Sequence, residues 1–308
     1  MQRLLCGMLT LGFYCACCGG QQSPSSSSTQ EGLANSSWLK QIEACEMRIR
    51  EAEVAHADRS TLAHMYSMLA TTYQNAGVYT RAEAALKREV ALLNDAAPEE
   101  LAGALGQVAA LHLAIGQTHS AEKEQERVLK LRERAGDPRQ TALAWNDLAG
   151  LYVRTERFDE ALKYATKAMT VLGNDTTVDV HNRIAVRQTL AVALCGVHRC
   201  SEAISLLSIA AESARENLGS RSLDAGVAEY LLGNAYWQSG NPDAGGKWMA
   251  EGIEKMRGSH AYGRTPYLHA MTQYARFLRE RGQLEKAAAA DREVRVANSM
   301  VDASALRR

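Results

Sequence analysis

Small residues recur along this chain in pairs, and the two members of each pair are always twelve residues apart. Six such pairs follow one another, at intervals of 39, 40, 42, 42 and 42 residues. The first members are Ala70, Ala109, Ala149, Ala191, Gly233 and Ala275, and the second members are Ala82, Ala121, Ala161, Ala203, Gly245 and Ala287. A fixed period of this kind is typical of a stacked array of repeated units.

The stretch at 141–173 shows what one unit contains. Its first half carries apolar residues at the i, i+3, i+4, i+7 spacing of an amphipathic helix, at Trp145, Leu148, Ala149 and Tyr152. Its second half repeats the pattern at Phe158, Ala161, Leu162, Ala165 and Ala168. The connection between the halves is short, so we predict two antiparallel neighbouring helices. Two helices approach to about 8–10 Å only where side chains are small, and the paired alanines mark that contact.

The turn between the two predicted helices carries glycine in four of the six units, at Gly77, Gly116, Gly240 and Gly282. Glycine is favoured there because the residue that ends a helix often needs a positive φ. Units three and four have Glu156 and His198 at this position instead. We therefore predict that these two turns are more strained than the others or differently shaped.

The unit resembles the tetratricopeptide repeat, in the longer form of about forty-two residues that occurs in the kinesin light chain class. The segments AWNDLAGLYVRTERFDEALKYATKAM at 144–169 and LLGNAYWQSGNPDAG at 231–245 carry the resemblance most clearly. It extends over about 60–298. It implies an all-α fold, an α-solenoid of about six antiparallel helix pairs in a right-handed superhelix. This fold hosts many unrelated binding tasks, so the resemblance does not identify a partner.

The chain divides into five predicted regions. They are a leader at 1–18, a flexible Ser/Gln/Gly-rich tether at 19–37, a capping helix at 38–56, the solenoid at 60–298 and a tail at 299–308. The units of the solenoid run approximately over 60–97, 98–138, 139–178, 179–219, 220–258 and 260–298. The capping helix places Trp38, Ile42, Cys45 and Ile49 on one face, which would cover the exposed apolar face of the first unit.

The leader has the pattern of an export signal. Arg3 is followed by LLCGMLTLGFYCACC, an uncharged apolar run that is too short to span a bilayer. In a bacterial lipoprotein a cysteine after a small residue becomes the lipidated N-terminus; Cys17 fits best and Cys18 is second, although Tyr14 stands where leucine is usual. Cleavage without lipidation at the Ala16-Cys17-Cys18 triplet is the alternative, and an uncleaved leader is a third outcome. We expect an exported protein on the periplasmic side of the cell envelope, lipid-anchored or, alternatively, soluble.

Charge and motifs narrow the functional classes. The chain carries 35 basic and 35 acidic residues, which argues against nucleic acid or an anionic membrane surface as the main partner, so a membrane would be contacted through the N-terminal lipid only. Sequence motifs of hydrolases, nucleotide-binding loops and zinc enzymes are missing. We therefore predict no catalytic residues, no metal and no cofactor.

Cys195 and Cys200 flank the predicted turn of the fourth unit. In an oxidising compartment they would form a disulfide across the turn, since the ends of two helices joined by a tight turn meet the required Cα separation. Two packed thiols are the alternative. A metal site that uses His198 as a third ligand is disfavoured, because no fourth ligand lies at a useful spacing.

The first helices of such a stack line its concave face, and residues one turn from the packing face should point into that groove. The predicted groove residues are Gln74, Asn75, Asn146, Arg154, Gln188, Tyr230, Asn234, Trp237, Gln238, Arg276 and Arg279. Their amides suit the backbone of a bound peptide, and the two arginines suit an acidic group. The lysine-and-asparagine clamp of some tetratricopeptide proteins is not matched, because Asn146 has no lysine beside it and Gly150 replaces a second asparagine.

Two functional hypotheses follow. The first is a non-enzymatic scaffold of the cell envelope that binds a peptide or protein segment in the groove. The second is an extracytoplasmic sensor that binds a small molecule or a glycan, for which an exposed Trp237–Tyr230 pair is the sequence support.

Overall fold

A computed structural model describes residues 30–258 and 264–305, with side chains at 38–258 and 266–296. Over these residues the chain forms thirteen α-helices and no β-strand. The helices are α1 (Gln30–Val54), α2 (Arg59–Asn75), α3 (Tyr79–Leu92), α4 (Pro98–Ala114), α5 (Thr118–Ala135), α6 (Pro138–Arg154), α7 (Phe158–Leu172), α8 (Val180–Gly196), α9 (Cys200–Leu218), α10 (Leu223–Gln238), α11 (Pro242–Arg257), α12 (Arg264–Glu280) and α13 (Leu284–Ala305).

Each of the six predicted units corresponds to two consecutive helices joined by a short turn, so the fold is an all-α helical-repeat solenoid. The even-numbered helices α2 to α12 are the first helices of their pairs, and the odd-numbered helices α3 to α13 are the second. In the part of the chain that is described, no helix combines the length and the apolar character needed to cross a membrane.

The helices extend beyond the predicted bounds of the capping helix and of the solenoid. Helix α1 begins at Gln30, eight residues before the predicted start of the capping helix, and it ends at Val54. Residues 30–37 contain no proline and include Glu31, Leu33 and Ala34, which are compatible with a helix. At the other end, α13 continues to Ala305 through most of the predicted tail. The predicted leader, with Cys17 and Cys18, lies outside the described residues.

Apart from the six repeat units, the described helices fall into two larger compact parts, one that ends at Ala144 and one that begins at Trp145, within α6. We call these two parts the N-terminal unit and the C-terminal unit. In the N-terminal unit α1 packs on α2, and each helix from α2 to α4 packs on the next. In the C-terminal unit each helix from α7 to α12 packs on the next, and the neighbouring first helices α8 and α10 also contact one another. This successive packing is the expected behaviour of a repeat array.

Four of the first helices begin where a polar side chain accepts a hydrogen bond from the first turn. Asp58 accepts from the amide of Thr61 at the start of α2, and Asp137 accepts from the amide of Arg139 at the start of α6. Asp179 and Ser222 serve α8 and α10 in the same way. A capping side chain satisfies an N–H group that has no partner inside the helix, so these residues fix where four first helices start.

All twelve small residues that define the repeat are buried. The contact is tightest between α10 and α11, where both members are glycine. A Cβ on Gly233 would lie 2.4 Å from the amide nitrogen of Met249 and 2.7 Å from the carbonyl oxygen of Gly245. A Cβ on Gly245 would lie 2.9 Å from the carbonyl oxygen of Gly233. The two backbones therefore touch directly, and no larger residue fits without separating the helices.

The six turns inside the pairs share one hydrogen-bond pattern. In the first, the amide of Val78 donates to the carbonyl of Tyr73, and the amide of Gly77 donates to the carbonyl of Gln74. The other turns repeat both bonds, and this pattern is a Schellman motif. Glu156 and His198 adopt φ values of 60° and 62°, close to the 73° of Gly77. These two turns thus have the same shape as the glycine turns. They differ in being strained, because this conformation costs about 1–2 kcal/mol for a residue with a Cβ.

A buried carboxyl lies between helices of the N-terminal unit. The side chain of Glu89 on α3 is 5% exposed, and burial raises its pKa to about 7. Gln107 on α4 donates to Oε1 of Glu89 at 3.4 Å and to Oγ of Ser67 on α2 at 2.8 Å. Oε2 of Glu89 is buried without a hydrogen-bond partner. The arrangement favours the protonated carboxyl, because ionisation would leave a poorly solvated charge.

We predict opposite effects on stability from two glycine-to-alanine substitutions. Gly233→Ala should lower the free energy of unfolding by about 1–3 kcal/mol, because its Cβ overlaps the backbone of α11. Gly103→Ala should raise it by about 0.5–1 kcal/mol, because Gly103 lies inside α4 with nothing within 4 Å of its Cβ position. Chemical denaturation followed by circular dichroism measures both changes. Equal effects of the two substitutions would contradict the close contact at Gly233.

We further predict that part of the stability declines between pH 4.5 and pH 8. The folded pKa of Glu89, about 7, lies above its ordinary value of 4.5, so its contribution is fully present below pH 4.5 and is lost as the pH rises through 7. The loss should be on the order of 3 kcal/mol. In Glu89→Gln this decline should disappear when the free energy of unfolding is measured across the pH range.

Glu83→Gln on the same helix is the matched control. A hydrogen bond from Lys87 lowers the pKa of Glu83, so this residue contributes stability that is lost as the pH falls. The control should therefore keep the decline above pH 5. If Glu89→Gln kept it as well, the assignment to Glu89 would be refuted.

Candidate functional site

A partly exposed tryptophan lies at the end of α10 in the C-terminal unit. The ring of Trp237 meets the ring of Phe277 edge to face, with centroids 5.4 Å apart, and Phe277 stacks on Tyr274 at 5.9 Å. The guanidinium carbon of Arg276 lies 5.8 Å from the centroid of Trp237. We call Trp237, Phe277, Tyr274 and Arg276 the tryptophan cluster. It brings together two of the predicted groove residues, Trp237 and Arg276.

Glycines let the backbone bring this cluster together. A Cβ on Gly245 would lie 2.9 Å from the amide nitrogen of Trp237, so α11 passes directly against the end of α10. A Cβ on Gly246 would lie 2.8 Å from Cζ of Phe277, so the buried Phe277 fits against α11 as well. Trp237 consequently stands on a packed base, which limits the motion of its ring.

The turn after Trp237 fixes where α10 ends. Gly240 has φ of 90°, and the amide of Asn241 donates to the carbonyl of Tyr236. The side chain of Asn241 then accepts from the amide of Ala244 and starts α11. Gln238, the last residue of α10, is therefore exposed beside Trp237, with partly exposed Asn234 one turn earlier.

The two predicted groove arginines already have acidic neighbours. Nε of Arg276 lies 3.2 Å from Oε1 of Glu280, one turn along α12. Arg279 forms an ion pair with Asp291 on α13. All four side chains are partly or largely exposed, and exposed ion pairs contribute only about 0–1 kcal/mol. An acidic group on a partner could therefore take the place of these carboxylates at low cost.

Three of the predicted groove residues lie in the interior rather than on an accessible surface. Asn146, Gln188 and Tyr230 are 3%, 5% and 2% exposed. They occupy the same position in three successive repeat units, forty-two residues apart, and we call such a set of equivalent positions a column. Gln188 and Tyr230 lie on α8 and α10, two first helices that contact each other. Tyr230 therefore cannot form an exposed pair with Trp237, and burial raises the pKa of its hydroxyl.

The other predicted groove residues are accessible to different degrees. Gln74 is partly exposed and Asn75 is exposed at the end of α2, in the N-terminal unit. Arg154 is partly exposed at the end of α6, where burial lowers its pKa. In the C-terminal unit the accessible candidates are Asn234, Trp237, Gln238, Arg276 and Arg279.

Cys195 and Cys200 are joined by a disulfide in the structure, with Cα atoms 4.2 Å apart across the α8–α9 turn. Sγ of Cys200 lies 3.4 Å from Oε1 of Gln238, the exposed neighbour of Trp237. The disulfide sulfur has no hydrogen to donate, so this contact is a hydrogen bond only when the pair is reduced.

A buried ion cluster, which the sequence analysis missed, connects three helices near this site. Glu229 on α10 is fully buried and pairs with Lys255 on α11. Nη1 of Arg215 on α9 lies 3.6 Å from the same carboxylate oxygen. Removing one partner of a buried pair leaves an uncompensated charge, so the cluster favours one arrangement of α9, α10 and α11. The sequence signal that could have indicated the cluster is the position of Glu229, an acid in the middle of a nearly apolar helix.

An open cleft of ≈ 440 Å³ lies between α1 and α2 in the N-terminal unit. Its lining includes Cys45, Arg48, Asp58 and His64. Cys45 also packs against the core of that unit, as its place in the helix pattern suggests. Within the described residues, no three Cys, His, Asp or Glu side chains are arranged to hold a metal ion.

Part of the chain matches a known family model. Residues 100–173 match the tetratricopeptide repeat model. No curated protein sequence matches the chain.

Several solved structures share the fold. One is a structure of the nearly identical TPR-like repeats of a kinesin light chain from Podosopora anserina. It has a TM-score of 0.53 and 19% identity, and the match covers 64% of this chain and 95% of that one. BtubC (BKLC) from P. vanneervenii has a TM-score of 0.54 and 16% identity, with 74% and 91% covered. A Rap protein complexed with competence and sporulation factor has a TM-score of 0.56 and 14% identity, with 89% and 77% covered.

Identities this low establish a common fold and nothing about a common partner. The match at residues 100–173 and the shared fold identify the described chain as an all-α helical-repeat solenoid similar to the tetratricopeptide repeats of kinesin-light-chain-like proteins.

Proposed function

We propose that this chain is a non-enzymatic scaffold that holds another protein by binding one of its segments at the tryptophan cluster. The observation that carries the proposal is Trp237, a large aromatic side chain left partly exposed on a packed base and flanked by Arg276. Tryptophan and arginine are enriched among the residues that contribute most to protein interfaces. A rigid ring loses little conformational entropy on binding, so it suits an anchor.

The polar side chains around Trp237 suit a polypeptide partner. Asn234 and Gln238 carry amides that can both donate to and accept from the backbone of an extended segment. Arg276 and Arg279 can exchange their exposed pairs with Glu280 and Asp291 for an acidic group of that segment. We propose a peptide or protein segment that presents an apolar residue to Trp237 and a carboxylate to the arginines.

The fold gives this proposal general support. Repeat solenoids offer extended surfaces for holding other molecules. The Rap protein of similar fold was solved in complex with competence and sporulation factor. The alternative of a small-molecule or glycan sensor has less support, because the Tyr230 ring that it needs is buried.

Substitution of Trp237 tests the proposal. Partners captured by cross-linking and pull-down from envelope fractions should be recovered with the wild-type protein and reduced at least about tenfold with Trp237→Ala, since losing an anchor residue costs about 2 kcal/mol or more. Quantitative mass spectrometry of the recovered proteins measures the change.

Trp248→Ala is the matched control, because Trp248 is also partly exposed and faces a cation, with the guanidinium carbon of Arg215 6.0 Å from its centroid. It lies on a second helix, α11, and its described ring contact is with α9 rather than with a residue of the tryptophan cluster. Circular dichroism must show that both variants stay helical. Equal recovery of partners by the two variants, or none by the wild type, would count against the proposal.

We also propose that the protein is exported and carries a lipid on Cys17, or on Cys18, which holds it on the periplasmic side of the envelope. The support is the apolar leader and the polar tether that follows it. The intact mass of the mature protein should then correspond to a chain that begins at Cys17 or Cys18 with a diacylglyceryl or triacyl addition. Cys17→Ala should abolish the addition if Cys17 is the site. A mature mass without lipid in the wild type would reject anchoring, and the full-length mass would reject processing.

A further inference from the structure

A second surface in the C-terminal unit combines aromatic rings with lysines. On α6 and α7, the ammonium nitrogen of Lys167 lies 5.2 Å from the ring centroid of Trp145 and 5.6 Å from that of Tyr164. The ammonium nitrogen of Lys163 lies 5.8 Å from the centroid of Tyr164. We call these four residues the lysine–aromatic patch. Both lysines are exposed and both rings are partly exposed.

The rings hold the lysines in place before any partner arrives. Tyr164 stacks on the buried ring of Tyr152, with centroids 5.7 Å apart, so its own position is fixed. A lysine side chain normally loses considerable rotamer freedom when it binds. Because Lys167 already lies against two rings, part of that loss has occurred in the free protein, which favours binding.

The charge of the patch is not neutralised. The neighbouring cation, Arg157, pairs with Glu160, but neither lysine forms an ion pair in the described chain. Asp159, one turn before Lys163, is exposed and makes no ion pair with it. Like charges one helical turn apart destabilise a helix slightly, and an opposite charge from outside would relieve this repulsion.

From these contacts we infer that the lysine–aromatic patch binds an acidic protein segment, at a surface separate from the tryptophan cluster. Both ammonium groups lie within 6 Å of the Tyr164 centroid, so they are at most about 12 Å apart. In an extended chain, residues two to three positions apart span roughly 7–10 Å. Two carboxylates at that spacing reach both lysines, and the apolar part of the segment contacts the rings.

The number of basic residues in the patch favours an acidic protein segment over an anionic membrane or a nucleic acid. Segments that bind anionic membranes carry about four to eight clustered basic residues. Nucleic acid requires a basic surface that follows many phosphates, and the whole chain has no excess of positive charge. Two free lysines with one paired arginine are too few for either surface but match two carboxylates.

An octaglutamate peptide and an octaglutamine peptide are the probes, measured by isothermal titration calorimetry with the full chain. The wild-type protein should bind octaglutamate more tightly, and its affinity should fall as salt rises. Lys163→Gln combined with Lys167→Gln should weaken octaglutamate binding at least about fivefold, because each contact of this kind contributes modestly. Phosphatidylglycerol vesicles are tested in parallel.

The control removes two lysines elsewhere. Lys123→Gln combined with Lys130→Gln takes two exposed lysines from α5, neither of which lies over an aromatic ring in the described contacts. It should change the affinity less than about twofold. Equal losses in the two double variants would show non-specific attraction and overturn the proposal, as would no preference of the wild type for octaglutamate. Loss of vesicle binding alone would assign the patch to a membrane surface and also overturn it.

Discussion

The close approach of paired helices at small residues is the contact on which the rest of the molecule depends. Where both members are glycine, at Gly233 and Gly245, one backbone touches the other. This contact sets the register between α10 and α11, and the register determines what every other side chain on those helices meets. Trp237 lies one turn after Gly233, so α11 passes beneath its backbone and leaves its ring at the surface. The proposed binding surface is therefore a consequence of the packing contact.

The turns follow from the same contact. Two helices held together at a fixed point, with a fixed number of residues between their contact positions, can be joined in few ways. Glu156 and His198 adopt the left-handed conformation that glycine adopts elsewhere, at a cost of about 1–2 kcal/mol each. The packing of the helix pairs offsets this strain. A turn with glutamate or histidine in place of glycine therefore has a higher conformational energy but the same shape.

The sequence was sufficient to predict the repeat but insufficient to predict which side chains are accessible at the surface. A periodic pattern reports where small and apolar side chains recur, and burial of all twelve small residues agrees with that information. It does not report how closely neighbouring first helices pack. Asn146, Gln188 and Tyr230 were for this reason expected in a groove, although they are buried. Glu229 was missed because an acid in the middle of a nearly apolar helix marks an unusual position without identifying its partner, Lys255, on the next helix. Contacts between helices depend on geometry that the pattern along one helix does not encode.

One column of the repeat shows why function is found in departures from the pattern. Trp145, Arg187 and Glu229 occupy equivalent positions, forty-two residues apart. Arg187 is buried and donates to the carbonyl of Gly173 at the end of α7, while Glu229 is buried in an ion cluster. Trp145 alone of the three remains partly exposed, with Lys167 on its ring. The fold tolerates an aromatic, a cation or an anion at this position, provided that each finds a local partner. Residues that the fold does not dictate are free to be selected for binding, so the partners of a repeat protein are to be inferred from such positions.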